Sequence, residues 1–291
     1  MVKNGLAPVN GCRAVAARLM VVFSMIVFAA AAAGAQTRVL ASGAEPLVIG
    51  ETFTIPSKAL GETRRLNVYA PSAYTASADV RLPVLYMPDG GMNEDFLHVA
   101  GLVQALTGNG TMRPFLLVGI ENTERRRDMT GPTEHAEDKR IAPRAGGSDA
   151  FRVFIRDELM PEVKKRYRTT NETAIVGESL AGLFVVQTFL LAPELFDTYI
   201  AFDPSLWWND EKMVNGAGDL LRANPQAARS LFLASSGDSG VVDSIKVLVT
   251  AAEKSGARVR HEHMPGETHA TIYHPAALRA FRLLFKPPAA K

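Results

Sequence analysis

Short apolar runs separated by amphipathic segments recur along the chain from about Leu47 onward. Residues 48–55 and 64–70 alternate apolar and polar positions with a period of two, which predicts an early antiparallel pair of strands. Six more strands are predicted from short apolar or mixed runs at residues 82–87, 115–120, 173–177, 198–202, 230–235 and 258–264. Helical periodicity is found around residues 94–106, 148–167, 180–191, 243–255 and 275–285. Apolar strands that alternate with helices indicate an α/β fold, in which helices cover both faces of a mostly parallel sheet of about eight strands.

The longest region that lacks a clear element is residues 121–147. A stretch of this size inside a compact domain is usually a functional lid or a disordered insert. Because it follows a predicted sheet strand, we expect it to lie over the edge where ligands bind in open α/β sheets. Three consecutive arginines begin it, and Arg126 among them is our candidate for holding an anionic substrate. The alternative is a solvated loop of mixed charge.

The first 35 residues differ from the rest of the chain. Three basic residues precede an apolar run of about 15 residues, which ends in the A-G-A of positions 33–35. These are the three parts of a secretory signal peptide, which we expect to be cleaved after Ala35. An uncleaved membrane anchor is the alternative, although the apolar run is short for a bilayer span. We therefore predict one secreted or periplasmic domain, residues 36–291, without stable membrane insertion.

Cleavage would change the net charge and remove the only cysteine. The formal charge is +2 (32 minus 30), and without the first 35 residues it becomes −1 (29 minus 30), which does not suggest a nucleic-acid surface. Cys12 lies in the removed segment, so disulfides and thiolate metal sites are not expected. His261 and His263 alternate along a predicted strand without further ligands, which favours plain strand positions over a metal site. No metal is predicted.

Residues 177–182 read G-E-S-L-A-G and lie between a predicted strand and a predicted helix. A serine at this boundary is typical of a nucleophile elbow, in which a tight turn holds the hydroxyl clear of the sheet. Ala181 interrupts the usual G-x-S-x-G, but it adds only one methyl group, which should be tolerated. We predict Ser179 as a nucleophile, which requires a base for its proton and donors for the oxyanion.

A base and an acid for Ser179 are expected further along the chain. Of the six histidines, only His269 lies in the turn between the last predicted strand and the last helix. Asp238 follows the penultimate strand and is the preferred acid. Asp243 looks more like the N-cap of the next helix, and Asp203, after the preceding strand, is an outside candidate.

Two further features concern the oxyanion and the substrate. The loop D-G-G at positions 89–91 follows a predicted strand, and we predict that the backbone N–H groups of Gly91 and Leu180 form the oxyanion hole. A plain turn is the alternative for that loop. Trp207 and Trp208 follow another strand end, where they would line an aromatic-accepting pocket or contribute to packing.

Several of these runs resemble one known family. The longest runs from G-E-S-L-A-G to W-W-N-D, residues 177–210. The others are V-G-I-E-N-T-E-R-R-R-D-M-T at 118–130, G-G-S-D-A-F at 146–151 and P-G-E-T-H-A-T at 265–271. From about Leu82 to Phe285 the chain resembles the Putative esterase family of α/β-hydrolases. This family includes the enterobactin-type siderophore esterases and, more distantly, S-formylglutathione hydrolase, feruloyl esterases and mycolyltransferases. The resemblance implies an α/β-hydrolase fold, Ser179 as nucleophile, His269 as base and no cofactor.

The chain departs from this family at two positions. Relatives commonly have H-S-L-G-G or H-S-F-G-G where this chain has E-S-L-A-G, so Glu178 and Ala181 are unusual. A glutamate beside the nucleophile would raise the pKa of the base or repel anionic substrates. The acid also varies among relatives, and some siderophore esterases use a Ser-His pair without one.

These features predict a serine carboxylic-ester hydrolase that acts on a small-molecule ester through an acyl-enzyme on Ser179. Siderophore-type esters are the leading substrate class, because the resemblance points to them. Two alternatives remain: a hydrolase-fold protein that binds a ligand without turnover, and an acyltransferase that excludes water from the acyl-enzyme.

Overall fold

The computed structural model describes residues 43–225 and 229–288, which contain one sheet of eight strands. The strands are β1 (Glu51–Ser57), β2 (Glu62–Tyr69), β3 (Leu82–Pro88), β4 (Leu116–Ile120), β5 (Thr169–Glu178), β6 (Thr198–Phe202), β7 (Ser230–Ser236) and β8 (Arg258–Met264). Their order across the sheet is β1-β2-β4-β3-β5-β6-β7-β8. The β1–β2 and β2–β4 pairs are antiparallel and the other pairs are parallel. This arrangement confirms the predicted fold and all eight predicted strands.

The helices connect the parallel strands and cover both faces of the sheet. They are α1 (Ser72–Ala76), α2 (Phe96–Gly108), α3 (Arg125–Met129), α4 (Ala136–Ile141), α5 (Ser148–Val153), α6 (Met160–Arg166), α7 (Leu180–Leu191), α8 (Lys212–Asn215), α9 (Ala217–Ala223), α10 (Val242–Lys254) and α11 (Tyr273–Leu284). A π-helical turn, Phe154–Leu159, joins α5 to α6. The five predicted helical segments are confirmed within two residues at each end. The short helices α1, α3, α4, α8 and α9 lack enough turns to leave a periodic pattern in the sequence.

The apolar strands are buried because both of their faces meet a layer of helices. All seven residues of β3 are buried. Since side chains alternate across a strand, Val84 and Tyr86 join the core on the α7 face, whereas Leu85 and Met87 join the core beneath α2 and α11. The helix α7 is buried along its whole length except for Leu191, so it is apolar on every side.

The described residues from Val48 onward form one compact unit, and residues 43–47 do not belong to it. The predicted signal peptide, residues 1–35, lies outside the described residues, so its cleavage and the secreted or periplasmic location stay predictions. No helix within residues 43–225 and 229–288 is long and apolar enough to cross a membrane.

No element was predicted for residues 121–147, but this region contains α3 and α4. Ion pairs connect α3 to strand β2, which lies in the antiparallel part of the sheet. Arg64 of β2 forms an ion pair with Asp128 of α3, and both side chains are fully buried. Arg127 lies 2.7 Å from Asp128 and 2.8 Å from Glu62. Arg127 and Asp128 of α3 therefore pair within the protein, whereas other charges of the region, among them Glu134 and Arg140, are exposed, as expected for a solvated loop of mixed charge.

Candidate active site

The turn between β5 and α7 holds Ser179 in a strained backbone conformation. Its φ and ψ angles are 59° and −119°, a combination that residues with a side chain rarely adopt and that surrounding structure must enforce. Its N–H donates to the carbonyl of Phe202 and its carbonyl accepts from the N–H of Ser205, each at 3.0 Å. The end of β6 therefore fixes the turn from both sides.

The alanine that interrupts the elbow motif fits because its neighbour is a glycine. A Cβ placed on Gly177 would lie 2.7 Å from the Cβ of Ala181, so the methyl of Ala181 occupies space that Gly177 leaves empty. Gly182 is also confined, since a Cβ there would lie 3.1 Å from the carbonyl oxygen of Phe202. The two glycines that the turn needs are thus 177 and 182, and Ala181 is compatible with it.

His269 lies between the serine and a buried carboxylate. Its Nε2 is 3.1 Å from Ser179 Oγ, and its Nδ1 is 3.3 Å from Oδ2 of Asp203. The Asp203 side chain is fully buried. It also accepts a hydrogen bond from the Ser236 backbone N–H at 2.7 Å and another from the Ser236 hydroxyl at 2.5 Å. Three donors thus hold the carboxylate that faces the imidazole.

Asp238, the preferred acid of the sequence analysis, contacts the backbone of His269 and not its ring. Its Oδ1 accepts the His269 N–H at 2.8 Å and the Ser236 hydroxyl at 2.9 Å. Asp243 points to solvent and pairs with Lys246 at 2.8 Å. The carboxylate at the ring is therefore that of Asp203, the outside candidate, while Asp238 anchors the loop that carries the histidine.

The pKa values of these groups follow from their contacts. Burial alone would raise the pKa of Asp203, but hydrogen bonds from His269 and Ser236 outweigh burial and leave that pKa lowered. The hydrogen bond to Asp203 is the main reason that the pKa of His269 is raised, and the charge of Glu178 adds to it. Asp203 is consequently ionised at neutral pH and stabilises the imidazolium form of the ring.

Glu178, the unusual residue before the serine, is a second carboxylate at His269. Its Oε1 lies 3.2 Å from Nε2, the same nitrogen that faces Ser179 Oγ. That oxygen is buried and has no hydrogen-bond partner among the described residues. Burial raises the pKa of Glu178 to about 7, although His269 and Arg125 act in the opposite direction. The His269 ring thus has a carboxylate near each of its nitrogens.

Of the two backbone N–H groups predicted to form the oxyanion hole, that of Gly91 already donates a hydrogen bond within the protein. Leu180 is the first residue of α7, so its N–H has no acceptor within that helix. The N–H of Gly91 donates to Oε2 of Glu94 at 2.6 Å, and the N–H of Asn122 lies 3.3 Å from the other oxygen of Glu94. A role for Gly91 in binding an oxyanion requires that Glu94 first release this N–H. No sequence signal singled out Glu94.

The two predicted substrate-binding side chains have different surroundings. Trp207 is 44% exposed and lies two residues beyond Ser205, which is hydrogen-bonded to the serine turn. Its neighbour Trp208 is buried, with its indole N–H donating to the carbonyl of Gly131 at 3.0 Å.

Arg126 is turned to the carbonyl of Ile141, 2.5 Å from Nη1. Its neighbour Arg125 donates two hydrogen bonds to Asp89, at 2.7 and 2.8 Å. The positive charge of Arg125 also interacts with Glu178 and lowers the pKa of that carboxyl. Of the consecutive arginines, Arg125 is therefore the one that lies toward the serine.

The described residues contain no cluster of three or more histidine, cysteine, aspartate or glutamate side chains that could hold a metal ion. His261 and His263 both contact the hydroxyl of Ser235, at 2.9 and 3.1 Å. These two side chains on β8 thus share a hydroxyl on the neighbouring strand β7, as the strand interpretation expects.

An eight-stranded sheet of this order, with a serine at the β5–α7 turn and a histidine from the loop after β8, defines an α/β-hydrolase. A family model described as "Putative esterase" matches residues 57–271. The chain belongs to this family and is an esterase of the hydrolase class.

The chain is similar to several named esterases and hydrolases. Ferri-bacillibactin esterase BesA of Bacillus subtilis (strain 168) is 29% identical over 268 residues, which are 81% of this chain and 92% of BesA. The IroE-like serine hydrolase from Shewanella oneidensis has a TM-score of 0.73 at 27% identity and covers 81% of this chain and 80% of its own. Siderophore hydrolase EstB from Aspergillus nidulans has a TM-score of 0.70 at 21% identity, over 85% of this chain and 97% of EstB, a likeness in fold alone.

Proposed function

We propose that the protein is a serine esterase that forms an acyl-enzyme on Ser179. The observation that carries this proposal is the chain of contacts from Ser179 Oγ to His269 Nε2 and from His269 Nδ1 to Asp203. A serine hydroxyl becomes a useful nucleophile only when a base removes its proton, and the imidazole is at hydrogen-bond distance for that transfer.

In the proposed reaction His269 takes the Ser179 proton while Oγ attacks the ester carbonyl carbon. The imidazolium then donates this proton to the leaving alcohol, and the serine keeps the acyl group. Water, deprotonated by the same nitrogen, attacks the acyl-enzyme, and the proton returns to Ser179 as the acid leaves. Asp203 holds the ring with Nδ1 protonated throughout. The Leu180 N–H is the donor available for the oxyanion.

Within this class we propose siderophore-type esters as substrates, which similarity to a ferri-bacillibactin esterase and to an iron(III) salmochelin esterase supports. The chain's own residues add one constraint. The catalytic nitrogen faces the buried Glu178, so an anionic group next to the scissile ester would meet a carboxylate there. Esters that carry no anionic group beside the scissile bond fit this surrounding better. Comparing the ferric and iron-free forms of one ester-linked triscatecholate tests this constraint: the ferric complex is the more anionic form, because iron displaces the catechol protons, so it should be hydrolysed more slowly. Faster hydrolysis of the ferric form would contradict the role of Glu178, and hydrolysis of neither form would contradict the substrate proposal.

A fluorophosphonate probe tests the nucleophile directly. Such a probe should label the folded protein at one site, and mass analysis of peptides should place the adduct on Ser179. Heat-denatured protein and the Ser179→Ala variant, its fold checked by circular dichroism, should stay unlabelled. Labelling elsewhere, or none on folded protein, would contradict the serine mechanism. Saturable binding of a siderophore ester without turnover would then favour a binding protein.

Removal of the Glu178 charge should change the pH dependence of the reaction. An ionised Glu178 favours the imidazolium form of His269, so Glu178→Gln should lower the pKa of His269. Because the base must be deprotonated to act, the acidic limb of the kcat/KM profile should move to lower pH. At still lower pH, Glu178 is neutral and His269 is protonated in the parent protein. The ratio of kcat/KM between Glu178→Gln and the parent should therefore be largest just below neutral pH.

The control is Glu134→Gln, which removes the same charge from an exposed side chain paired with Lys212 at 3.5 Å. Its profile should match that of the parent protein. An acidic limb that stays in place, or moves to higher pH, in Glu178→Gln would contradict the inference that Glu178 raises the pKa of His269.

A further inference from the structure

A cavity of about 500 Å³ lies on the far side of α7 from the sheet. Residues of α5, α7, α8 and α9 line it together with the segment 131–132, and neither Ser179 nor His269 is among them. Its volume is in the range of small-molecule sites. Much of its wall is apolar and consists of Leu183, Leu191, Trp208, Met213 and Leu220.

Three polar side chains in the wall of this cavity have unused hydrogen-bonding atoms. Ser148 Oγ, Arg152 Nη1 and Gln187 Oε1 are buried and have no partner among the described residues. The exposed fractions of these residues are 1%, 7% and 5%. A buried polar atom without a hydrogen-bond partner destabilises the fold, and native proteins contain few of them. Three unpaired polar atoms in the wall of one cavity indicate that a molecule bound in the cavity completes their hydrogen bonds.

The guanidinium of Arg152 is the charged member of this group. Its Nη2 pairs with Asp149, whose side chain is 79% exposed, and its Cζ lies 5.7 Å from the centre of the Phe184 ring. Two further charged side chains of the wall, Lys212 and Asp219, pair with the exposed Glu134 and Arg222. Burial lowers the pKa of Arg152, with Asp149 acting against this effect. The guanidinium thus has a carboxylate at Nη2, whereas its buried Nη1 has no hydrogen-bond partner among the described residues.

We propose that this cavity binds an N-acylated amino acid, a ligand with a carboxylate, an adjacent amide N–H and an apolar tail. The donors Arg152 Nη1 and Ser148 Oγ bind the carboxylate, and Gln187 Oε1 accepts the amide N–H. The acyl tail packs against Leu183, Leu191 and the indole of Trp208. Each unpaired atom thus receives the kind of partner it lacks: acceptors for the two donors and a donor for the amide oxygen.

The site is independent of the proposed serine chemistry. Ligand binding should therefore survive in Ser179→Ala and in protein labelled with fluorophosphonate. Loss of binding in either would place the ligand in the active site and overturn the proposal.

N-octanoylglycine titrated into the full chain tests the site, with Trp208 fluorescence and calorimetry as readouts. Two matched probes separate the polar contacts: N-octanoylglycine amide lacks the carboxylate, and decanoic acid lacks the N–H. Each should bind about 10- to 100-fold more weakly, because one buried charged or polar contact is lost. Equal binding of the amide would overturn the proposed role of Arg152, and absence of saturable binding by N-octanoylglycine would overturn the site.

On the protein side, Arg152→Gln should weaken N-octanoylglycine binding about 10- to 100-fold. Arg156→Gln is the matched control, because that arginine lies one turn further along the same helical segment, is exposed, pairs with the exposed Asp157 and does not line the cavity. It should bind as the parent does. If Arg152→Gln does not fold, Gln187→Leu replaces it, and that variant should no longer discriminate N-octanoylglycine from decanoic acid. Retained discrimination, or unchanged affinity in a folded Arg152→Gln, would contradict the proposal.

Discussion

Replacing Asp203 with asparagine is expected to lower kcat for ester hydrolysis about 10⁴-fold, the size of loss found when a triad aspartate is changed in this way. The reason lies in the tautomer of His269. The Asp203 carboxylate accepts from Nδ1 and leaves the Nε2 lone pair facing Ser179 Oγ. An asparagine amide can instead donate to Nδ1, which would place the proton on Nε2 and remove the base.

The same substitution at Asp238 is the matched control, with an expected loss of about tenfold or less. An asparagine oxygen there can still accept the backbone N–H of His269, which is what Asp238 binds in the structure. Steady-state kinetics with p-nitrophenyl butyrate would measure both variants, and circular dichroism would verify their folds. A larger loss in Asp238→Asn than in Asp203→Asn would reverse the assignment. Losses within tenfold in both would favour a Ser-His pair without an acid.

The choice between these carboxylates shows why chain order alone did not locate the acid. The strands β6 and β7 are parallel neighbours, so the residues after them, Asp203 and Asp238, reach the same edge of the sheet. Both are at hydrogen-bond distance of Ser236 and of His269. What separates them is the direction of each side chain. Asp203 has a positive φ of 38°, a local turn that no pattern of apolar and polar residues encodes.

The sheet and its long helices were predictable because burial on both faces imposes an apolar pattern. Every residue of β3 and β4 is buried, and each strand appears in the sequence as a short apolar run. The elbow was predictable for a related reason, since its position between such a strand and an apolar helix is fixed by the same pattern. In contrast, the hydrogen bond from the N–H of Gly91 to Glu94 depends on the conformation of one side chain in a loop. Loop residues follow no repeating apolar pattern, so this contact could not be predicted from the sequence.

The consecutive arginines are a case in which composition indicated a different role from the one the structure supports. Mixed charges in a long region favoured either a solvated loop or an anion site. Instead, Arg125 binds Asp89, Arg126 binds the carbonyl of Ile141, and Arg127 binds Asp128 and Glu62. The partners are up to 65 positions away in the chain, so local sequence could not reveal the pairing.

Loss of the buried ion pair that anchors this region should cost more stability than any exposed pair. Arg64→Met is expected to lower the free energy of unfolding by about 3–5 kcal/mol, because it leaves Asp128 buried with less compensation. Arg64 and Asp128 both have fully buried side chains, and the guanidinium also donates to the carbonyl of Glu121 at 2.9 Å. Urea unfolding, followed by circular dichroism, would measure the change.

The neighbouring Arg65→Met is the control for this prediction. It removes the same type of side chain from the same strand, but Arg65 is 52% exposed and lies 3.7 Å from Glu121, so its loss should cost about 1 kcal/mol or less. Replacing both members of the buried pair, as Arg64→Met with Asp128→Leu, should recover part of the loss, since no unpaired charge then remains inside. If Arg64→Met costs no more than Arg65→Met, the pair does not hold residues 121–147 to β2. The region would then be free to open as the lid that its length first suggested, and limited proteolysis should cut it in the parent protein as readily as in the variant.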